Sequence, residues 1–181
     1  MPKIFVYGTL LKGLENHRLL KDETLLYSGL TCDSLFVVAN RSHLFNKPDA
    51  AANVKSYDPT LQLEPQDAYP YPFMTREGLV ENHYSSRIIG EVYEVSDATL
   101  ERLDILEDHP RSYKRQSIDI ENLETRETSP VDCYLLHSET LLQDIKSSVV
   151  ANLADPENTN CEYDLLLEKH QGSWMKYIQK D

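Results

Sequence analysis

The sequence predicts one α+β domain, and three observations predict it. Strand-like and helix-like segments alternate irregularly, with hairpin-like strand pairs among them, where a doubly wound parallel sheet would alternate regularly. No segment repeats, and no tract is of low complexity. At 181 residues, 40% of them hydrophobic, the chain is long enough for one domain, residues 1–181, with a real core.

The elements follow in chain order. "KIFVY" at 3–7 is short, β-branched and aromatic between Pro2 and Gly8, which reads as a buried strand. "HRLLKDETLL" at 17–26 can hold a short helix, and residues 25–39 read as one or two strands around Gly29. Residues 40–83 are rich in Pro, Asn and Asp, lack long periodicity and exceed an ordinary loop. They are expected to form an excursion that covers a site or is partly mobile. Its "YPYPFM" at 69–74 is either a cavity wall or a packed extended segment. "RIIGEVYEV" at 87–95 alternates as a strand does. Ser96 or Asp97 can cap a following helix, whose Leu100, Leu103 and Leu106 fall on one face. Pro110 ends it, lacking a donor and constraining His109. "YKRQSIDI" and "VDCYLL" are strands joined by a polar turn. A helical C-terminal extension begins at about 138 with "SETLLQDIKSSVVANLA", and "CEYDLLLEKH" at 161–170 reads as a further helix. Trp174 and Tyr177 are expected to pack the last segment onto the domain.

Composition removes several functions. A net charge of −12 lacks the basic footprint of a nucleic-acid binder. Cys32, Cys133 and Cys161 are odd in number and widely spaced, which indicates neither a zinc ribbon nor a disulfide framework and favours a reducing, cytoplasmic setting. No signal peptide is expected before "KIFVY", and no run of about 20 apolar residues is present to span a bilayer. The six histidines have no metal-ligand spacing, and Gly-x-Gly-x-x-Gly, P-loop, His-Glu-x-x-His and Gly-x-Ser-x-Gly patterns are all missing.

Two stretches carry chemistry. In "VYGTLLKG" a strand stops at Gly8, a residue that tolerates positive φ or lets a ligand approach the backbone closely. The stretch is either a plain turn, the commoner outcome, or a concave anion site made by the amides of Gly8, Thr9 and Leu10 with the Thr9 hydroxyl. In "LERLDILEDHPRSYKR" two carboxylates, Glu107 and Asp108, fall at a helix C-terminus, where the macrodipole disfavours negative charge. Asp108 reads as a solvated helix end. Glu107 follows Leu103 by four residues and lies at the margin of the buried face, where desolvation would also raise its proton affinity toward that of a general acid–base. Tyr113 and Arg115 alternate on one strand face.

Together these stretches resemble the γ-glutamylcyclotransferase-like superfamily, closest to the γ-glutamylamine cyclotransferase or AIG2-like group. The resemblance rests on "FVYGTLLKGLENHRLL", "IIGEVYEV", "LDILEDHPRSYKR" and "GSWMKYI", with Asn16 and His17 fitting the amine-directed branch. It implies a small, mixed, mostly antiparallel β-barrel with flanking helices. It also implies a cavity floored by Tyr7, Gly8, Thr9 and Leu10, which hold the γ-glutamyl group. Glu107 matches the acid–base carboxylate, and Tyr113 matches the aromatic near the pocket. The implied reaction is attack of the substrate's α-amine on its own γ-carbonyl, giving 5-oxoproline and a free amine, with neither cofactor nor metal. The expected partner is a small-molecule γ-glutamyl substrate, with no nucleic acid and no membrane, and the protein is expected to be a monomer or weak homodimer. The rivals are a glutathione or γ-glutamyl-amino-acid cyclotransferase, a non-catalytic binding module of the same fold, and a cysteine hydrolase using Cys133 with His137.

Overall fold

The computed structural model describes residues 1–40, 71–76, 85–154, 163–165 and 171–178; most of the expected excursion lies outside them. In chain order the elements are β1 Lys3–Val6, a 3₁₀ turn Glu15–Leu19, β2 Thr24–Thr31, β3 Phe36–Asn40, β4 Tyr71–Thr75 and β5 Ile89–Glu94. There follow α1 Asp97–Leu106, β6 Tyr113–Asn122, β7 Thr128–Leu136, α2 Glu139–Ala154, β8 Tyr163–Leu165 and α3 Trp174–Ile178. Five strands close a barrel in the order β1-β5-β2-β6-β7. Only β1 and β7 run parallel, with Phe5 opposite Cys133; the other neighbours are antiparallel. The barrel is therefore mixed and mostly antiparallel.

This topology gathers particular chain ends at one rim. β5 and β6 both run antiparallel to β2 and so run parallel to each other, and such a pair needs a crossover. Helix α1 is that crossover. Its ten residues span about 15 Å, enough to climb from the end of β5 to the start of β6. The C-termini of β1, α1 and β7 and the N-terminus of β6 consequently meet at the same rim. Apolar Ile4, Phe5 and Val6 are all buried, so β1 is covered on both faces.

Helix α1 begins as its sequence indicates: the Ser96 hydroxyl accepts from the Thr99 amide at 3.2 Å. Its end is decided earlier than Pro110. Asp108 adopts a left-handed φ of 50°. The Asp108 amide donates to Ile105 O at 3.2 Å and the His109 amide to Asp104 O at 2.9 Å, a Schellman closure. The Asp108 carboxylate accepts from the Ser112 hydroxyl at 2.7 Å and from Arg111 at 2.6 Å, which hold its proton affinity low. Asp108 is thus the solvated helix end that the sequence suggested, and it also terminates the helix and shapes the next loop.

A second sheet, in the order β4-β3-β8, lies against the barrel. Val38 on β3 faces Phe73 on one side and Leu165 on the other. Here two expectations are corrected. Tyr163–Leu165 is a strand, so the extension after 138 is not helical throughout. The free edge of β3 pairs with this segment, and Tyr163 and Leu165 bury with Val38, Leu136, Ile145 and Val149, the last two from α2. Tertiary pairing outweighs local helix propensity there. The helix expected at 17–26 shrinks to the 3₁₀ turn, because Thr24 already belongs to β2. The last segment docks as expected through Trp174, which is fully buried in the main core. Gly172 makes this possible: at φ +70° it brings its carbonyl within 2.9 Å of the Ile89 amide, and a Cβ there would lie 1.8 Å from Arg87 O.

Candidate active site

A cavity of about 400 Å³ opens at the rim where the strand and helix ends meet. It is lined by Tyr7, Gly8, Thr9, Leu10, Glu107 and Tyr113, so the six residues that the family resemblance placed in the site face one space. Its size suits a small metabolite. Arg115 is not among the lining residues. Its guanidinium instead pairs with Asp104 at 3.1 Å and Asp132 at 3.8 Å.

The turn after β1 has a definite hydrogen-bond pattern. Its carbonyls are used: Gly8 O accepts from the Leu11 amide at 2.9 Å and Thr9 O from the Asn16 amide at 3.0 Å. Leu10 O lies 3.2 Å from His17 Nδ1. Beyond the turn, the Lys12 amide donates to Glu91 on β5 at 3.0 Å. Among the described residues, the amides of Gly8, Thr9 and Leu10 donate to no protein acceptor. The three residues line the cavity, and backbone donors without a protein partner there can take an anion. The Thr9 hydroxyl accepts from Asn16 Nδ2 at 3.0 Å, which leaves its own hydrogen to donate outward.

Gly8 is required for a reason the sequence did not disclose. Its φ is not positive. A Cβ at this position would lie 2.2 Å from Cγ of Pro72, so the glycine admits β4 against the turn. The Met74 amide donates to the Tyr7 hydroxyl at 3.0 Å, and the Phe73 ring meets Tyr113 edge-on at 5.9 Å. The "YPYPFM" stretch thus walls the cavity through Tyr71, Pro72 and Phe73.

Glu107 is the C-cap of α1, with φ −86° and its amide on Leu103 O at 2.9 Å. Burial removes water from its carboxyl and pushes the pKa up to about 7. Tyr113 and Cys133 hold their protons far more firmly than usual, first because they are buried and then because the Glu107 carboxylate is near. Tyr7 behaves likewise, through burial and then through its neighbours Tyr113, Cys133 and Glu107. One titratable group in the cavity is therefore poised near neutrality, surrounded by neutral hydroxyls and a thiol.

The arrangement does not suit Cys133 as a nucleophile. The thiol is fully buried and its thiolate is disfavoured. His137 is exposed beyond the end of β7, in a separate cleft of about 820 Å³ with Arg76, Lys114, Glu139 and Lys146. All five of those side chains face solvent, so although the cleft is larger it offers no desolvated group for chemistry. Among the described residues no group of three His, Cys, Asp or Glu could hold a metal, and no helix is long and apolar enough to cross a membrane.

Sequence reasoning missed Tyr134 and Asp104. Tyr134 lines the cavity, and its hydroxyl donates to Asp104 Oδ1 at 2.6 Å. The only signal was the alternation of β7, which "VDCYLL" obscures because Cys133, Tyr134, Leu135 and Leu136 are all buried.

Comparison with known proteins gives a consistent result. The chain matches the family described as "Gamma-glutamyl cyclotransferase, AIG2-like" over residues 4–152. A protein of Methanocaldococcus jannaschii, provisionally named a gamma-glutamylcyclotransferase, is 32% identical over 121 residues, 66% of this chain and 72% of the relative. A protein of Vibrio cholerae with the same provisional name is 37% identical over 116 residues, 64% of this chain and 70% of the relative. The crystal structure of an AIG2-like protein from Mus musculus aligns with a TM-score of 0.53 at 22% identity, over 78% of this chain and 82% of that one, a likeness of fold.

Proposed function

The chain belongs to the gamma-glutamyl cyclotransferase, AIG2-like family, and from that premise we propose that it converts a γ-glutamyl amine to 5-oxoproline and a free amine. The observation that carries the reading is the pairing, in one cavity, of three unclaimed backbone amides with a carboxyl that titrates near neutrality.

The substrate's α-carboxylate sits on the amides of Gly8, Thr9 and Leu10 and takes the Thr9 hydroxyl. That contact directs the neighbouring α-ammonium toward Glu107. Ionised Glu107 accepts a proton, and the freed amine attacks the γ-carbonyl to form the lactam C–N bond. The old C–N bond then breaks. The two protons lost by the attacking nitrogen are gained by the departing one, with Glu107 as relay, so charge and atoms balance without a redox partner. Holding amine and carbonyl in attack geometry removes several kcal/mol from the barrier, roughly up to the 7–11 kcal/mol of well-oriented intramolecular reactions. The Tyr113 hydroxyl, kept protonated, is available as a donor within the cavity.

The amine-directed reading draws on Asn16, which fits that branch and lines the cavity. Tyr71 and Leu106 are 38% and 39% exposed and both line the cavity, which gives apolar lips. Glu15 lines it too, close enough to Tyr71 to add to the effect of burial on that phenol.

The test is a panel of γ-glutamyl-ε-lysine, γ-glutamyl-alanine and glutathione, with 5-oxoproline read by mass spectrometry. Release is expected first from the amine, and Glu107→Gln is expected to lower the rate roughly 10²–10⁴-fold. Near-wild-type turnover by Glu107→Gln would remove Glu107 from the mechanism. Release from glutathione alone would move the protein to the glutathione branch, and binding without release would make it a ligand-binding module.

A further inference from the structure

We propose that Asp104 is a positioning residue, whose carboxylate ties the end of α1 to the barrel wall and so fixes the place of Glu107. The proposal rests on the reading of Glu107 as the acid–base. Asp104 precedes Glu107 by three residues and acts through two separate groups. Its carbonyl accepts the His109 amide that closes the helix. Its carboxylate leaves the helix and binds two strands: Oδ1 accepts from the Tyr134 hydroxyl of β7 at 2.6 Å, and Arg115 Nη1 of β6 donates to Oδ1 at 3.1 Å and to Oδ2 at 3.2 Å.

The environment makes this contact more than a surface pair. Asp104 and Arg115 are 26% and 25% exposed, and Tyr134 is 3% exposed. Exposed pairs contribute little because water screens them and loose side chains lose entropy on pairing. Here the acceptor is reached from two rigid strands at once, and a buried phenol donates one of the bonds. Arg115 is itself held, 3.8 Å from Asp132. The Tyr134 hydroxyl, engaged with Asp104, keeps its proton more strongly than usual, through burial and then through that bond. The clamp therefore joins α1, β6 and β7 at the rim that carries Glu107.

Glu107 depends on such a tether. It lies outside the regular turns of α1, and the groups described near it (Tyr7 just after β1, Tyr113 on β6 and Cys133 on β7) are neutral near pH 7. Among the described residues no opposite charge draws the carboxyl into the cavity, and its raised pKa comes from burial. Something other than attraction to a partner must hold the helix end down. Without the clamp the end can lift, water can reach the carboxyl and the titration should move toward that of an ordinary glutamate.

The experiment is a ¹³C NMR titration of the Glu107 carboxyl in free enzyme, paired with steady-state kinetics. Asp104→Ala removes the clamp. Tyr134→Phe breaks one bond and leaves every charge in place, so it separates positioning from a direct effect of the Asp104 charge. Asp104→Asn keeps an acceptor for Tyr134 and serves as the conservative rescue. The proposal expects the Glu107 midpoint to fall by about one unit or more in Asp104→Ala and part of the way in Tyr134→Phe, with Asp104→Asn nearer wild type. It expects kcat to drop by up to roughly 10²-fold in Asp104→Ala with KM little changed, because the amides proposed to hold the substrate are not on this helix. A midpoint unmoved in Tyr134→Phe and in folded Asp104→Ala would overturn the proposal. If Asp104→Ala does not fold, Tyr134→Phe decides alone. Absence of 5-oxoproline release by the wild type would sink the cyclotransferase reading and leave the titration intact, whereas an unmoved titration would sink the clamp and leave the reaction intact.

Discussion

At the residue scale, Glu107 is a group whose burial works against the fold. Its folded pKa of about 7 lies above the ordinary 4.5, so the native state binds its proton more tightly than the unfolded chain does. The stability linked to that proton is fully present below pH 4.5 and is lost as pH rises through 7. The difference is about 3 kcal/mol at one decade per 1.36 kcal/mol. Glu107→Gln should therefore match wild type in urea denaturation near pH 4 and exceed it by up to that amount near pH 8. Parallel stability curves across this range would contradict the burial of the carboxyl. On the proposed mechanism the same proton sets activity: the wild-type rate should rise as pH climbs through about 7 and Glu107 ionises, and the Gln variant should lack that limb. Glu107 was legible in the sequence because helix periodicity set it beside Leu103 and Leu106. Tyr134 was not legible, since a strand whose residues are buried on both faces offers no alternation to read.

At the element scale, the turn after β1 and strand β4 form one unit although 63 residues lie between Gly8 and Pro72. Gly8→Ala would set a Cβ against the Pro72 ring and should destabilise the fold by about 1–3 kcal/mol through overpacking. Pro72→Ala removes the clashing Cγ, so the double variant should recover part of the loss in a double-mutant cycle followed by urea midpoint. Simple additivity would show that Gly8 is needed for something other than this contact. The sequence flagged Gly8 for positive φ or the close approach of a ligand, whereas what approaches it is the Pro72 ring. Helix α1 teaches a similar lesson. Its cap at Ser96 was local and readable. Its end was credited to Pro110, yet the chain leaves the helix at Asp108, whose side chain finds Ser112 and Arg111 and so favours the left-handed turn.

At the scale of the whole molecule, the excursion and the C-terminal extension come together. β4 enters from the excursion and β8 from the extension, both pair with β3, and α2 covers their small core. Phe73 carries this layer to the site, its ring 5.9 Å from Tyr113 and 6.5 Å from Tyr163. Leu165 is 2% exposed in that core. Leu165→Ala should cost about 2–5 kcal/mol. In hydrogen exchange, amides of β3, β4 and β8 should lose protection together while those of β6 and β7 keep theirs. Loss of protection at β8 alone would show that the layer does not act as a unit.

The sequence by itself determined the elements whose signals are local: the buried β1, the alternating β5, the capped α1, the β6–β7 hairpin, and the two motifs that became the turn amides and Glu107. Their physical basis is short-range, in side-chain period, capping and turn chemistry, and it survives without knowledge of neighbours. Only the tertiary structure decided that 163–165 is a strand, that Pro72 is what Gly8 admits, and that Asp104 reaches Tyr134 and Arg115. Each of those depends on an unpaired edge, a void or a carboxylate meeting its partner across the sequence, and such contacts come into being only when the barrel closes.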